Sequence, residues 1–202
     1  MALHSRLDSL QTRQQILDAA AKLAAENGPA ALTIDGVARV AGMSKGGVLY
    51  HFPSKESLLH QLVKFAIKTQ WCDMRRFWKA DANSKGRWHR AWIHASFQSL
   101  RVYSPCMETP AVVATVMADA HLQVILHRFG RRVKQCLAFD GLDPLWSVLL
   151  QNSVLGLRFN RVFDGNINDP EAMDALEQRA IAFLDIMMSG GLVVPTEKME
   201  VA

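Results

Sequence analysis

Apolar side chains recur along this chain at intervals of three and four residues, the period of one helix face, and no stretch alternates apolar with polar positions as a half-buried strand would. In residues 12–26 the apolar face is Ile16, Leu17, Ala20, Leu23 and Ala24, and Asn27-Gly28-Pro29 ends it. A longer stripe, with Ser54 as its N-cap, runs through Leu58, Leu59, Leu62, Val63, Phe65, Ala66 and Ile67 towards Trp71 and Trp78. Unbroken to Ala80, it makes a rod about 40 Å long. The polar run Asp81-Ala82-Asn83-Ser84-Lys85-Gly86 interrupts the pattern, and Trp88, Trp92, Ala95, Phe97, Leu100 and Tyr103 then mark a helix that ends before Pro105. A short helix is expected over 111–118 and a longer one over 120–137. After Asp140-Gly141-Leu142-Asp143-Pro144 comes a helix over 145–163 that is apolar round most of its circumference, which implies burial on more than one side. Asp169 as N-cap and Pro170 in the first helical position open the last helix. The expected fold class is all-α.

Two shorter elements lie between the first stripe and the long one. Thr33 is a good N-cap, since its hydroxyl accepts a bond from the free amides of a first turn, and Ile34, Val37, Ala38 and Ala41 follow at helical spacing. Gly42 ends that helix, because glycine tolerates the left-handed backbone a helix C-terminus needs. Ser44 caps the next helix almost at once, over 44–51, with a length of about 12 Å that matches the width of the B-DNA major groove. Val48 and Phe52 fall on its inner side and Gly46 and Tyr50 on its outer side. Adjacent glycines cost a helix about 1 kcal/mol each relative to alanine, so Gly46 and Gly47 make sense as clearance that lets the backbone approach phosphates or base edges. Lys45 supplies charge there, and Tyr50 and His51 supply hydrogen-bonding tips. Helix, tight turn and short helix make a DNA-reading unit.

Residues 13–62 resemble the N-terminal DNA-binding domain of the tetracycline-repressor (TetR) family of one-component bacterial regulators. The resemblance rests on the preceding amphipathic helix, the Thr-initiated second helix, Ala41-Gly42-Met43-Ser44, Lys45-Gly46 and the exit Phe52-Pro53-Ser54-Lys55-Glu56. The rest of the chain is similar to the family only in length and helical character. The resemblance implies that Thr33, Ser44, Lys45, Gly46, Tyr50, His51 and Lys55 touch the backbone or bases of DNA. It further implies a homodimer on a palindromic operator, released by a small effector bound between the long helices.

Composition narrows the alternatives. With 202 residues, half of them hydrophobic, the chain can bury a substantial core. Cys72, Cys106 and Cys136 are too few and too scattered for a disulfide framework, and no Cys or His spacing points to a metal site or a cofactor. The first residues lack the apolar stretch of a signal peptide and no run is long enough to span a bilayer, so a cytoplasmic protein without a membrane partner is expected. The net charge of +4 is unevenly spread, with 9 basic and 2 acidic side chains in residues 61–101 against 8 and 12 in residues 102–202. That middle excess reads as a solvated helix face, as attraction for DNA, or as an anion-attracting entrance to a pocket that takes an apolar ligand with an anionic end.

The expected layout is a DNA-binding domain over 1–53, a helical ligand-binding and dimerisation domain over 54–189 and a frayed tail over 190–202. Trp71, Met74, Trp78, Trp92, Phe97, Met117 and Phe159 are large or soft side chains suited to the walls of an apolar cavity, with His121 as a polar handle. Asn152, Gly156 and Asn160 form a narrow stripe on one helix, and Met173, Leu176, Ala180, Phe183 and Met187 an apolar stripe on the last, so a four-helix dimer interface is expected from Gly156 and that second stripe. No nucleophile motif or phosphate-binding glycine loop points to catalysis. Two other readings stay open: an all-helical carrier or enzyme that binds no DNA, and a DNA-binding regulator controlled by a protein partner.

Overall fold

A computed structural model describes residues 2–27, 32–102, 117–163 and 169–191, and all regular structure among them is helical. The helices are α1 (Ala2–Asn27), α2 (Ile34–Ala41), α3 (Lys45–His51), α4 (Lys55–Ala80), α5 (Arg87–Val102), α6 (Ala120–Ala138), α7 (Pro144–Phe163) and α8 (Pro170–Met188). The first begins well before the expected start at Thr12. The Thr12 hydroxyl donates back to the Asp8 carbonyl at 2.8 Å, the bond a threonine makes inside a helix. Nearly all of the expected 111–118 helix, the side chain of Phe159 and the tail beyond residue 191 lie outside the described residues.

The apolar stripes close two cores. In the first, Ile16, Leu17 and Ala20 of α1 meet Val37 and Ala38 of α2, Val48 of α3 and Phe52 just after it. Leu58, Leu59, Leu62 and Val63 of α4 seal that core from below, and Leu122 of α6 reaches into it as well. The second core gathers Met74 of α4, Trp92, Ile93 and Phe97 of α5, Val133 and Leu137 of α6, Leu150 and Val154 of α7, and Met173 and Leu184 of α8. Each such side chain contributes about 1.5–3 kcal/mol on burial. Packing does not break between residues 53 and 54, because α4 belongs to the first core at one end and to the second at the other.

Polar contacts fix the second half. The carboxylate of Asp140 accepts bonds from the backbone amides of Trp88 at 3.2 Å and His89 at 2.8 Å, and so caps α5 from a distant turn. The same carboxylate accepts from Nδ1 of the fully buried His89 at 2.9 Å, and Nε2 of that ring meets the Ser147 hydroxyl at 2.8 Å. Arg90 joins the α4–α5 corner to α8 through Asp81 at 2.7 Å and Asp185 at 2.9 Å. At the next contact of α5 with α8, Glu177 binds His94 at 2.6 Å and Arg101 at 2.5 Å. Burial pushes the Glu177 carboxyl up, but the hydrogen bonds from His94 and Arg101 outweigh it and hold the group below the ordinary glutamate range.

Candidate nucleic-acid interface

The turn between α2 and α3 is built by local chemistry. The Thr33 hydroxyl accepts the Gly36 amide at 3.0 Å, and the Ser44 hydroxyl accepts the Gly47 amide at 3.0 Å. Each cap satisfies an amide that the first helical turn leaves open. Gly42 adopts φ 66°, left-handed as its position requires, and Met43 then donates to the Ala38 carbonyl at 2.9 Å to close the end of α2. Only Gly42, Met43 and Ser44 separate the last residue of α2 from the first of α3.

Val48 and Phe52 are fully buried, which fixes the rotation of α3 and turns its other side outwards. Tyr50 is 82% exposed there, its ring edge-on to His51 at 5.1 Å. A Cβ on Gly46 would find the Ser44 hydroxyl at 4.0 Å and no closer neighbour, so the bare backbone is not a requirement of internal packing. At Gly47 a Cβ would press on that hydroxyl at 3.3 Å, so the second glycine protects the cap. Thr33, Ser44 and Lys45 are exposed, and His51 and Lys55 are half-buried at the exit of the unit. The Lys45 ammonium pairs with Asp35 at 2.9 Å, both of them more than half exposed. Exposed pairs of this kind contribute little to stability, so the lysine exchanges Asp35 for a phosphate at small cost.

One residue of this unit has no signature in the sequence. Arg13 of α1 donates through Nη1 to the His51 carbonyl at 2.8 Å, and its guanidinium lies 4.5 Å from the centre of the Phe52 ring. A cation at the carbonyl end of α3 is well placed with respect to the helix dipole. No local pattern announces it, because the partner is 38 residues away.

The residues expected in a ligand cavity fall in several places among the described residues. Met74, Trp92 and Phe97 are buried in the second core. Trp88 stacks between Trp71 and Trp78, at 6.3 and 5.0 Å, and the guanidiniums of Arg132 and Arg87 cover the outer faces of Trp71 and Trp78 at 4.2 Å each. The tryptophans therefore occupy one another, as aromatic faces and cations do when brought together. Met117 is 68% exposed and His121 is exposed too, both away from that core. Trp71 borders an open groove, of about 280 Å³, between α4 and α6.

The residues expected at a dimer interface are divided as well. Met173 and Met187 are buried in this chain's own core, and Leu176, Ala180 and Phe183 pack against it, Phe183 edge-on to Trp146 at 6.1 Å. They are committed because α8 lays this stripe against α5 and α7. On these last two helices the uncovered apolar side chains are Leu145, 80% exposed, Leu149, 50% exposed, Val148 and Leu155 of α7 and Ile186 of α8. Gly156 lies on α7 with open space where a Cβ would be.

No group of three or more His, Cys, Asp and Glu side chains among the described residues is placed to hold a metal ion, and no described helix is long and apolar enough to cross a membrane. Residues 16–62 match the family model of bacterial regulatory proteins of the tetR family. The HTH-type transcriptional regulator BetI of Paraburkholderia xenovorans (strain LB400) is 31% identical over 149 residues, which cover 72% of this chain and 75% of that protein. Among solved structures, a transcriptional regulator from Rhodococcus sp. Rha1 superposes with a TM-score of 0.66 at 19% identity, over 91% of this chain and 99% of that one. The TetR family transcriptional regulator PfmR from Thermus thermophilus gives 0.60 at 20% identity, over 86% and 97%. These structural likenesses are of fold, whereas the relative at 31% identity carries the similarity well past the reading unit. The chain belongs to the TetR family of bacterial transcriptional regulators.

Proposed function

We propose that this protein is a repressor that binds a palindromic operator as a homodimer and leaves it when a small, largely apolar effector binds. The observation that carries the reading is the outward face of α3: capped by Ser44, free of side chains at Gly46, and tipped by an 82% exposed Tyr50. In this reading Thr33, Ser44, Lys45, Gly46, Gly47, Tyr50, His51 and Lys55 contact the duplex, phosphate contacts setting the position and Tyr50 and the α3 backbone reaching the bases. The uncovered side chains of α7, Leu145, Val148, Leu149 and Leu155, support a two-fold partner on that face, and Gly156 allows its close approach. α4 links the reading unit to the second core, and so carries an effector's preference for one arrangement to the spacing of the two α3 helices.

Selection of duplexes from a random pool, followed by footprinting, tests the reading. The expected site is a pseudo-palindrome with half-sites about 34–36 Å apart or slightly more. Lys45→Ala and Lys55→Ala should each lower the log–log salt slope of binding by about 0.9 for every phosphate the variant no longer neutralises. A single asymmetric half-site bound by a monomer, or duplex binding without salt dependence, would refute it.

A further inference from the structure

We infer that the groove between α4 and α6 is a binding site for a small amphipathic anion, an apolar body bearing one carboxylate or phosphate. The inference deepens the effector-release reading above and rests on it for the site's regulatory role. Both helices present the same alternation to the groove. On α4, Lys64 and Lys68 interleave with Ile67 and Trp71; on α6, Arg128 and Arg132 interleave with Ile125 and Phe129. Four apolar side chains and four cations therefore line a space of about 280 Å³.

Three of the four cations have no acidic partner among the described residues. They are Lys64, Lys68 and Arg128, while the Arg132 guanidinium lies 4.2 Å from the centre of the Trp71 ring on an exposed position. Lys64 with Lys68 and Arg128 with Arg132 are like charges four apart on a helix, an arrangement that destabilises each helix by a few tenths of a kcal/mol. One anion in the groove relieves both repulsions. Arginine offers it two parallel N–H groups, and the apolar side chains remove the remainder of the molecule from water.

The groove's position gives an occupant leverage. One turn before it, α6 is tied to the first core and the near end of α4, with Leu122 buried in that core and Asp119 paired with His60 of α4 at 2.8 Å. Ile125 packs on the first core and Phe129 on the second, so the groove spans the junction of the two. A molecule that wedges α4 from α6 there acts on both.

The test uses the full chain, isothermal titration with decanoate and 2-naphthoate as probes, and decan-1-ol as the uncharged control. Saturable binding of at least one anion, weakened about tenfold or more in Lys68→Glu and in Arg128→Glu, is expected, with the alcohol bound at least tenfold less tightly than decanoate. Both substitutions lie on exposed positions and should leave the thermal midpoint unchanged. Binding of neither anion, equal binding of the alcohol, or binding by the two variants as tight as by wild type overturns the site. A lower salt slope for duplex binding by Lys68→Glu without any ligand assigns these charges to DNA and overturns it as well. Binding that the variants abolish but that leaves duplex affinity unchanged upholds the site and defeats the effector-release reading. Release of DNA by a molecule to which both variants still respond does the reverse.

Discussion

Removing the Arg13 side chain should loosen the short helix that reads DNA. α3 spans only Lys45–His51, too short to hold itself in water, so its rigidity comes from the groups that pin it. Arg13→Ala deletes the charge-assisted bond to the His51 carbonyl, made at 2.8 Å, which is worth about 1.5–3 kcal/mol. It also deletes the contact with the Phe52 ring at 4.5 Å, worth about 0.5–1 kcal/mol. Against these stands the cost of about 1.5–2 kcal/mol for holding an arginine side chain in one conformation. The net loss is then about 1–2 kcal/mol, which corresponds to a fall in Tm of roughly 2–8 °C for a chain of this length. Well below that temperature the protein is folded, and the same ordering energy appears as a duplex affinity about 5- to 30-fold weaker. Arg13→Lys should fall between wild type and alanine, since an ammonium keeps the charge but not the planar stack. A double-mutant cycle with Phe52→Leu should recover about 0.5–1 kcal/mol of coupling from the ring contact. An Arg13→Ala protein with unaltered Tm, unaltered duplex affinity and no coupling to Phe52 would refute the reasoning.

Gly46→Val should leave folding intact, since only the Ser44 hydroxyl at 4.0 Å faces the new side chain and valine is the better helix former, yet abolish duplex binding; normal binding by a folded variant would remove α3's outer face from the interface. Leu149→Asp, on a half-exposed position of α7, should dissociate the dimer in sedimentation while the monomer stays folded, whereas Met173→Asp buries a charge in the chain's own core and should unfold it; an intact Leu149→Asp dimer would place the partner elsewhere. Because the folded-state pKa of Glu177 is depressed, its contribution to stability is complete above the ordinary glutamate value of about 4.3 and disappears as pH falls through the lower folded value. Urea unfolding between about pH 5 and pH 3 should show that loss in wild type and a shallower one in Glu177→Gln; parallel curves would rule the clasp out as its source.

What could be foreseen from the residues was what is decided within a few positions. Thr33, Ser44, Ser54 and Asp169 are caps whose partner amides lie two or three residues on, so type and spacing suffice. The inward placement of Val48 and Phe52 follows from helical period in the same way. Thr12 shows the limit of that reasoning, since a threonine at the start of an apolar stripe serves as a cap or bonds back to the preceding turn, and only the helix that precedes it decides. Contacts between distant segments left no local trace. The cap of α5 comes from Asp140, 52 residues after Trp88, and the pin on α3 from Arg13. The tryptophans of α4 and α5 had the composition of pocket walls, but composition does not say whether aromatic faces meet a guest or each other. The stripe on α8 was correctly apolar, yet it serves this chain's interior as far as Met173 and Met187 are concerned.

That α4 is one uninterrupted helix with an end in each core makes it a shaft that keeps angular phase. Inserting one residue midway, between Val63 and Met74, would turn the far half about 100° against the near half and advance it about 1.5 Å, so that Met74 left its core while Leu58 and Leu62 kept theirs. Seven inserted residues, close to two full turns, would restore the angle within about 20° and change only the length. Exchanging reading units between relatives is thus a problem of register: a splice inside α4 that preserves residue count keeps both halves in phase, and one that adds or drops a residue does not.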